Sequence, residues 1–154
     1  MIQRIQSLYL LAATALLAAA LCLPTAAFSK EDIELTLTAF RLSDASGAYE
    51  ESAIWMGILF VLSAALPFAT IFLYGHRMLQ IRLCGVELVL LVGDTVFIVI
   101  YCLLAGRVAG CAGFPFDALR AGAVMPLAAI VPVVLAMRAI FRDELLVRSL
   151  DRIR

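Results

Sequence analysis

Two acidic residues, Glu87 and Asp94, stand inside an apolar stretch of the chain that is long enough to cross a membrane. They are seven residues apart, so a helix would place them on nearly the same face, about 10.5 Å apart along its axis. Tyr101 follows seven residues later on that face. Ionisable side chains within a bilayer are costly and commonly mark proton or ion pathways. The spacing is therefore typical of a line of groups that could pass a proton.

Glu87 lies near one end of this apolar stretch, and Arg138 lies at a similar depth in a later one that runs in the opposite direction. An unpaired charge in a low-dielectric medium is strongly unfavourable. We therefore expect Glu87 to form an ion pair with Arg138, or with Arg82 at the surface.

Asp94 falls near the middle of its apolar stretch, and the sequence places no basic residue at that depth in any other stretch. A carboxyl group in this position is expected to keep its proton and to donate a hydrogen bond. Pro132 leaves the Ala128 carbonyl without its amide partner, which makes that oxygen a candidate acceptor. Polar neighbours expected at this depth are Thr14, Ser63 and Thr95. A structural hydrogen bond between helices is favoured for Asp94 over a site of proton transport.

The composition defines the class of protein that holds these residues. The chain has 154 residues, of which 64% are hydrophobic and 16% charged, and its mean hydropathy is +1.04. Soluble domains carry roughly 45–50% apolar and about 25% charged residues. The numbers exclude a soluble globule and a disordered chain, and the balanced charge excludes a basic nucleic-acid binder. An integral membrane protein remains.

Four stretches have the roughly 20 apolar residues that a helix needs to cross a bilayer. Helices are expected because strands of a barrel would alternate apolar and polar residues. The sequence thus predicts an all-α integral membrane four-helix bundle forming a single domain over residues 1–154. The predicted spans are residues 5–28, 53–74, 83–105 and 121–141.

The distribution of basic residues predicts the orientation of the bundle. Eight of the 12 Lys and Arg residues fall at the N-terminus, in the loop between the second and third spans, at the end of the fourth span, or in the C-terminal tail. By the positive-inside rule both termini are expected in the cytoplasm of a bacterial inner membrane. The first apolar run exceeds the roughly 7–15 residues of a signal-peptide core, which favours an uncleaved signal anchor.

The extracytoplasmic loop at residues 29–52 contains a strand pattern. Ile33, Leu35, Leu37 and Ala39 alternate with polar residues, the period of a half-buried strand. Residues 43–47 are rich in turn formers. A short strand or hairpin is expected here, over the outer ends of the helices. The tail at residues 142–154 is expected to continue the last helix and to bind either lipid or protein.

No arrangement typical of catalysis, of a metal site or of a bound cofactor is found, so an enzyme is disfavoured. The four cysteines have no metal-ligand spacing. The sequence does not decide whether Cys102 forms a disulfide with Cys111 or with Cys22. Small side chains on the first span can serve packing within the bundle or against another subunit. They are Ala12, Ala15 and Ala19.

Three segments resemble a known family. They are MIQRIQSLYLL at the N-terminus, LQIRLC before the third span, and RAIFRDE with the following LVRS and DR in the tail. They are similar to a family of small four-span bacterial inner-membrane proteins known only as a domain of unknown function. The resemblance implies an uncleaved first span and four helices, and it brings no activity, cofactor or catalytic residue.

All three segments are predicted on the cytoplasmic side, where they would form a docking surface or pack against one another. The docking candidates are Gln3, Arg4, Gln6, Gln80, Arg82, Arg142, Asp143, Glu144 and Arg148. The favoured hypothesis is a non-catalytic accessory or scaffold subunit, with a membrane-protein partner or a second copy of itself. The alternative is a small proton-coupled carrier or channel-like transporter that uses Asp94 and Glu87, and a membrane enzyme comes third.

Overall fold

The computed structural model describes residues 2–30, 33–44, 50–73, 77–110 and 114–151. Four helices dominate it, and each is long and apolar enough to cross a membrane, which confirms the predicted number of spans. The helices are α1 (Ile2–Cys22), α2 (Ile54–Phe72), α3 (Arg77–Val108) and α4 (Ala121–Asp151).

The observed helix ends differ from the predicted spans. Helix α1 ends at Cys22, well before residue 28, because Pro24 disfavours helical backbone at Leu23 and the chain then enters a strand. Helix α3 has 32 residues and is about 48 Å long at 1.5 Å per residue, longer than the roughly 30 Å hydrocarbon core. Helix α4 continues without interruption into the predicted tail.

The helices pack in a ring in which α1 and α3 each contact α2 and α4. Their alternating direction gives the bundle two ends with separate apolar clusters. The first cluster joins Ala20, Met56, Ile98 and Ala123 at the end that carries the sheet, here called the sheet end. The second cluster includes Leu10, Cys84, Val133 and Ile140. It lies toward the opposite end, here called the terminal end because α1 begins and α4 ends there.

A four-stranded antiparallel sheet covers the sheet end, with its strands in sequence order. The strands are β1 (Ala26–Lys30), β2 (Ile33–Leu37), β3 (Arg41–Asp44) and β4 (Glu50–Ser52). Leu35, Leu37 and Ala39 are buried, which confirms the strand predicted from their alternation. The sheet is larger than the predicted hairpin. Of the predicted turn at residues 43–47, the first two residues belong to β3 and the rest lie outside the described residues.

The outward faces of the helices are apolar, as a lipid-facing surface requires. Leu8, Val89 and Val131 are each more than half exposed on three different helices. At the sheet end the aromatic side chains of Trp55 and Phe116 are 71% and 74% exposed. Such residues commonly lie at the boundary between lipid and water. The surface of the bundle therefore matches that of a membrane protein.

Gly122 is required by a close approach between the start of α4 and the segment that follows α1. Its amide donates to the Pro24 carbonyl at 3.1 Å, and a Cβ atom would lie 2.7 Å from that oxygen. We expect Gly122→Ala to lower the free energy of unfolding by at least about 1 kcal/mol, because backbone must move. Gly85→Ala on α3 is the matched control, since its Cβ would meet nothing within 4 Å. Thermal unfolding in detergent gives the unfolding midpoints of the two variants. Equal midpoints would contradict the close approach.

Candidate site: buried acidic residues inside the bundle

One face of α3 is buried along the length of the helix and carries both predicted acidic residues. The buried residues recur every three or four positions, at Gln80, Cys84, Glu87, Leu91, Asp94, Ile98 and Cys102. Glu87 and Asp94 thus lie on the inner face, as their spacing predicted. Tyr101 is half-buried at the edge of this face and stacks on Phe97 with the ring centres 6.3 Å apart. The line of polar groups does not extend to Tyr101, because Ile98 and Cys102 occupy the buried positions beyond Asp94.

Asp94 is fully buried and faces α2. Its Oδ2 atom accepts a hydrogen bond from the Ser63 hydroxyl at 2.7 Å, which confirms Ser63 as a neighbour. Thr14 and Thr95, the other expected neighbours, donate to carbonyl oxygens of their own helices. The predicted bond to the Ala128 carbonyl is not formed, since Oδ1 of Asp94 has no hydrogen-bond partner among the described residues. The side chain meets α2, whereas Ala128 belongs to α4.

The contact between Ser63 and Asp94 can hold the carboxyl group in either protonation state. The Ser63 hydroxyl is within reach of two acceptors, Oδ2 of Asp94 and the Phe60 carbonyl oxygen at 3.1 Å, but it has one proton to donate. When Asp94 is ionised, the hydroxyl donates to the carboxylate. When Asp94 is protonated, the carboxyl can donate to Oγ while the hydroxyl donates to Phe60. Ser63 and Asp94 can therefore remain hydrogen-bonded whether Asp94 gains or loses its proton.

Glu87 is 1% exposed, and neither of its carboxyl oxygens has a hydrogen-bond partner in the described part of the chain. Cys84 and Leu91, one turn to either side, belong to the apolar cluster toward the terminal end. The predicted ion pair with Arg138 or Arg82 was wrong, because both arginines are exposed on the outside of the bundle. Arg138 has the expected depth along α4 but points away from the interior, to which Ala136 and Ile140 are turned.

Two of the predicted docking residues, Gln6 and Gln80, are buried within the bundle, at 6% and 5% exposure. The Gln80 side-chain amide donates to the Thr70 carbonyl oxygen at 3.0 Å, and this oxygen also accepts from the Leu73 amide at the end of α2. Nε2 of Gln6 has no hydrogen-bond partner among the residues that the structure describes. Burial inside the bundle leaves neither side chain on the surface, so these two residues do not favour contact with a partner.

The other docking candidates lie at the terminal end. Arg82 and Arg142 are exposed, and Glu144 is half-buried. Asp143 forms an ion pair with Arg77 at 3.3 Å, which joins the end of α4 to the start of α3. Three candidate side chains lie outside the described part, those of Gln3, Arg4 and Arg148.

The cysteines and metal ligands give no further site in the described ranges. Cys22, Cys84 and Cys102 have free thiols, while Cys111 lies outside those ranges. No group of three or more His, Cys, Asp or Glu residues that could hold a metal ion occurs among the described residues. The small residues Ala12 and Ala15 are exposed, so they do not pack inside the bundle.

The Ser63–Asp94 contact should contribute measurably to stability. We expect a double-mutant cycle with Ser63→Ala and Asp94→Ala to give a coupling free energy of about 0.6–2 kcal/mol, the range for hydrogen bonds between membrane helices. Chemical unfolding in mixed micelles measures the free energy of unfolding of the wild type, the two single variants and the double variant. Thr95→Ala combined with Ser63→Ala is the control cycle, because Thr95 bonds only to its own helix. A coupling no larger than that of the control would contradict the contact.

The fold and this site define a small multi-pass helical membrane protein with two acidic side chains enclosed between its helices. Over residues 2–153 the chain matches the family model described as a domain of unknown function (DUF4293), and it belongs to that family. The resemblance carried by the three segments is thereby confirmed. A comparison with curated protein sequences finds no match.

Proposed function

We propose that this protein is a small proton-coupled membrane protein in which Glu87 and Asp94 bind exchangeable protons. The observation that carries the proposal is the environment of Glu87, which is 1% exposed and has no hydrogen-bond partner for either oxygen among the described residues. Buried polar groups are normally paired, and an unpaired one costs stability. An apolar side chain would serve packing better at this position, so a role for the carboxyl group itself explains its presence.

The contact between Asp94 and Ser63 supports the same proposal. A site that exchanges protons must be stable with and without its proton, and Ser63 can act as donor or acceptor toward Asp94. Glu87 lies about 10.5 Å closer to the terminal end along α3. That separation is too long for direct transfer. The proposal therefore includes water that enters the bundle transiently between the two carboxyl groups.

Charge distribution supports the orientation that accompanies this proposal. Arg82, Arg138 and Arg142 are exposed at the terminal end. By the positive-inside rule, this end faces the cytoplasm of a bacterial inner membrane, and the sheet faces the opposite side. Protons would then be exchanged between Glu87 and the cytoplasmic side.

Proton flux into vesicles that contain the purified full-length protein tests the proposal. A potassium diffusion potential supplies the driving force, and an enclosed pH-sensitive dye reports proton entry. We expect flux above that of empty vesicles, and we expect Glu87→Gln and Asp94→Asn each to reduce it to the empty-vesicle level. Thr95→Val is the matched control, since Thr95 neighbours Asp94 but donates to Leu91 of its own helix. Wild-type flux equal to that of empty vesicles, or full flux in both acidic variants, would overturn the proposal.

A second candidate function is an accessory or scaffold subunit that docks a partner through the terminal end. Its support is the exposure of Arg82 and Arg142, although Gln6 and Gln80 no longer contribute to such a surface. Gentle extraction from native membranes, followed by native mass spectrometry, tests it. A stoichiometric protein companion that is lost from Arg82→Glu would support this function, and a protein that is isolated without a companion would contradict it.

A further inference from the structure

Two grooves flank a pair of arginines on α4 at the terminal end. Arg138 and Arg142 are one turn apart, and both line each groove; they are here called the arginine ridge. The first groove runs between α1 and α4 and encloses about 390 Å³. Its other walls are Ile5, Tyr9, Leu135, Ala139 and Asp143. The second groove runs between α3 and α4 and encloses about 480 Å³. Its other walls are Ile81, Met137, Phe141 and Leu145.

The positive charge of the arginine ridge is uncompensated within the described part of the chain. The ion pairs found there join Arg41 to Glu50 and Arg77 to Asp143, and neither involves the ridge. Asp143 lines the first groove, but Arg77 already neutralises its charge at 3.3 Å. Two like charges four residues apart on a helix repel each other. An anion held between the guanidinium groups would relieve this repulsion.

The depth of the ridge matches that of lipid phosphates. Among the described residues, the part of α4 that is apolar enough to cross a membrane covers Ala121–Leu145. At 1.5 Å per residue, Arg138 lies about 25 Å and Arg142 about 31 Å from its start. A hydrocarbon core of about 30 Å that begins at Ala121, directly after the exposed Arg120, ends between the two side chains. Arginine side chains at this level reach into the head-group region, while the walls of the grooves remain in contact with acyl chains.

We propose that the arginine ridge binds the phosphate of an anionic phospholipid whose acyl chains lie in the two grooves. Guanidinium groups bind phosphate oxygens through paired, charge-assisted hydrogen bonds. Tyr9, which also lines the first groove, carries a hydroxyl group as a further polar group. The mainly apolar walls on both sides of the ridge suit a lipid better than a free phosphate ion. This site is separate from Glu87 and Asp94, so it stands independently of the proton-coupled function.

Native mass spectrometry of the delipidated full-length protein with phosphatidylglycerol or phosphatidylcholine tests the site. We expect one phosphatidylglycerol to stay bound, with an affinity at least about tenfold above that of phosphatidylcholine, because charge complementarity distinguishes the two. The variant with both Arg138→Gln and Arg142→Gln is expected to lose this preference. Arg82→Gln is the matched control, as an exposed arginine of the same end that lines neither groove.

Circular dichroism and thermal unfolding verify that each variant is folded before lipid is added. Equal retention of the two lipids by the wild type would overturn the site. The site would also be overturned if the double variant kept the preference for phosphatidylglycerol, or if Arg82→Gln lost that preference to the same extent. Protein companions retained through the ridge in native extracts, with no preference between the lipids, would assign the surface to a protein instead.

Discussion

Replacing Glu87 by methionine is expected to make the protein more stable, although the substitution is made at a buried position. The carboxyl group is 1% exposed, and its two oxygens have no hydrogen-bond partner among the described residues. Leaving a buried polar group unpaired costs about 1–3 kcal/mol. Methionine has a similar length and no such group, so the free energy of unfolding should rise by about that amount. Thermal and chemical unfolding in the same detergent give the change.

Val89→Met is the matched control, because Val89 lies on the same helix but is 72% exposed to the surroundings. This substitution should change the free energy of unfolding by no more than about 0.5 kcal/mol. If Glu87→Met instead lowers stability by more than this, the carboxyl group has a structural partner and the argument from its isolation is wrong. Greater stability together with loss of proton flux would be the trade-off expected at a functional residue.

Much of the fold can be predicted from the sequence because it depends on apolar length, alternation and residue spacing, which are properties of the sequence itself. Apolar length alone predicts the number of helices, and alternation predicts β2 through Leu35 and Leu37. The seven-residue spacing predicts that Glu87 and Asp94 share a face. The structure agrees on each of these points, and it also brings Ser63 to Asp94.

The direction in which a side chain points around a membrane helix is harder to predict. A soluble helix shows its buried face by polar residues on the other side, but a lipid-facing surface is also apolar. Arg138 illustrates the difficulty. Its depth in α4 is apparent from its position in the chain, yet it points outward because Ala136 and Ile140 form the buried face. The Glu87 ion pair was predicted from depth alone and failed for this reason.

Particular contacts between neighbouring elements could likewise not be predicted from the sequence. The hydrogen bond from Gln80 to the Thr70 carbonyl joins the first turn of α3 to the last turn of α2, and it depends on how these two helix ends pack. The predicted first span includes the first three residues of β1, Ala26, Ala27 and Phe28, because they continue an apolar run with no alternation. The bridge between Ala26 and Leu119 shows that partners far along the chain hold this segment.

Helix α1 offers a direct test of which face is buried, because it is rich in alanine on all sides. The sequence suggested Ala12, Ala15 and Ala19 as a packing face, whereas the structure buries Ala13 and Ala20 and exposes Ala12 and Ala15. Helix α1 packs against α4, and Ala13 belongs to a cluster that also contains Ala129 and Ala136, all at 0% exposure. Small residues here allow the two helices to approach closely.

Ala13→Leu is therefore expected to destabilise the bundle by up to about 3 kcal/mol, because the larger side chain forces α1 and α4 apart. Ala15→Leu adds the same atoms two residues away at an exposed position, and it should change the unfolding midpoint little. Thermal unfolding of the two variants in one detergent measures the difference. Equal midpoints, or a larger loss in Ala15→Leu, would contradict the assigned face. Light scattering of Ala15→Leu adds a separate result: dissociation of an oligomer in this variant alone would mean that the exposed alanines contact another subunit.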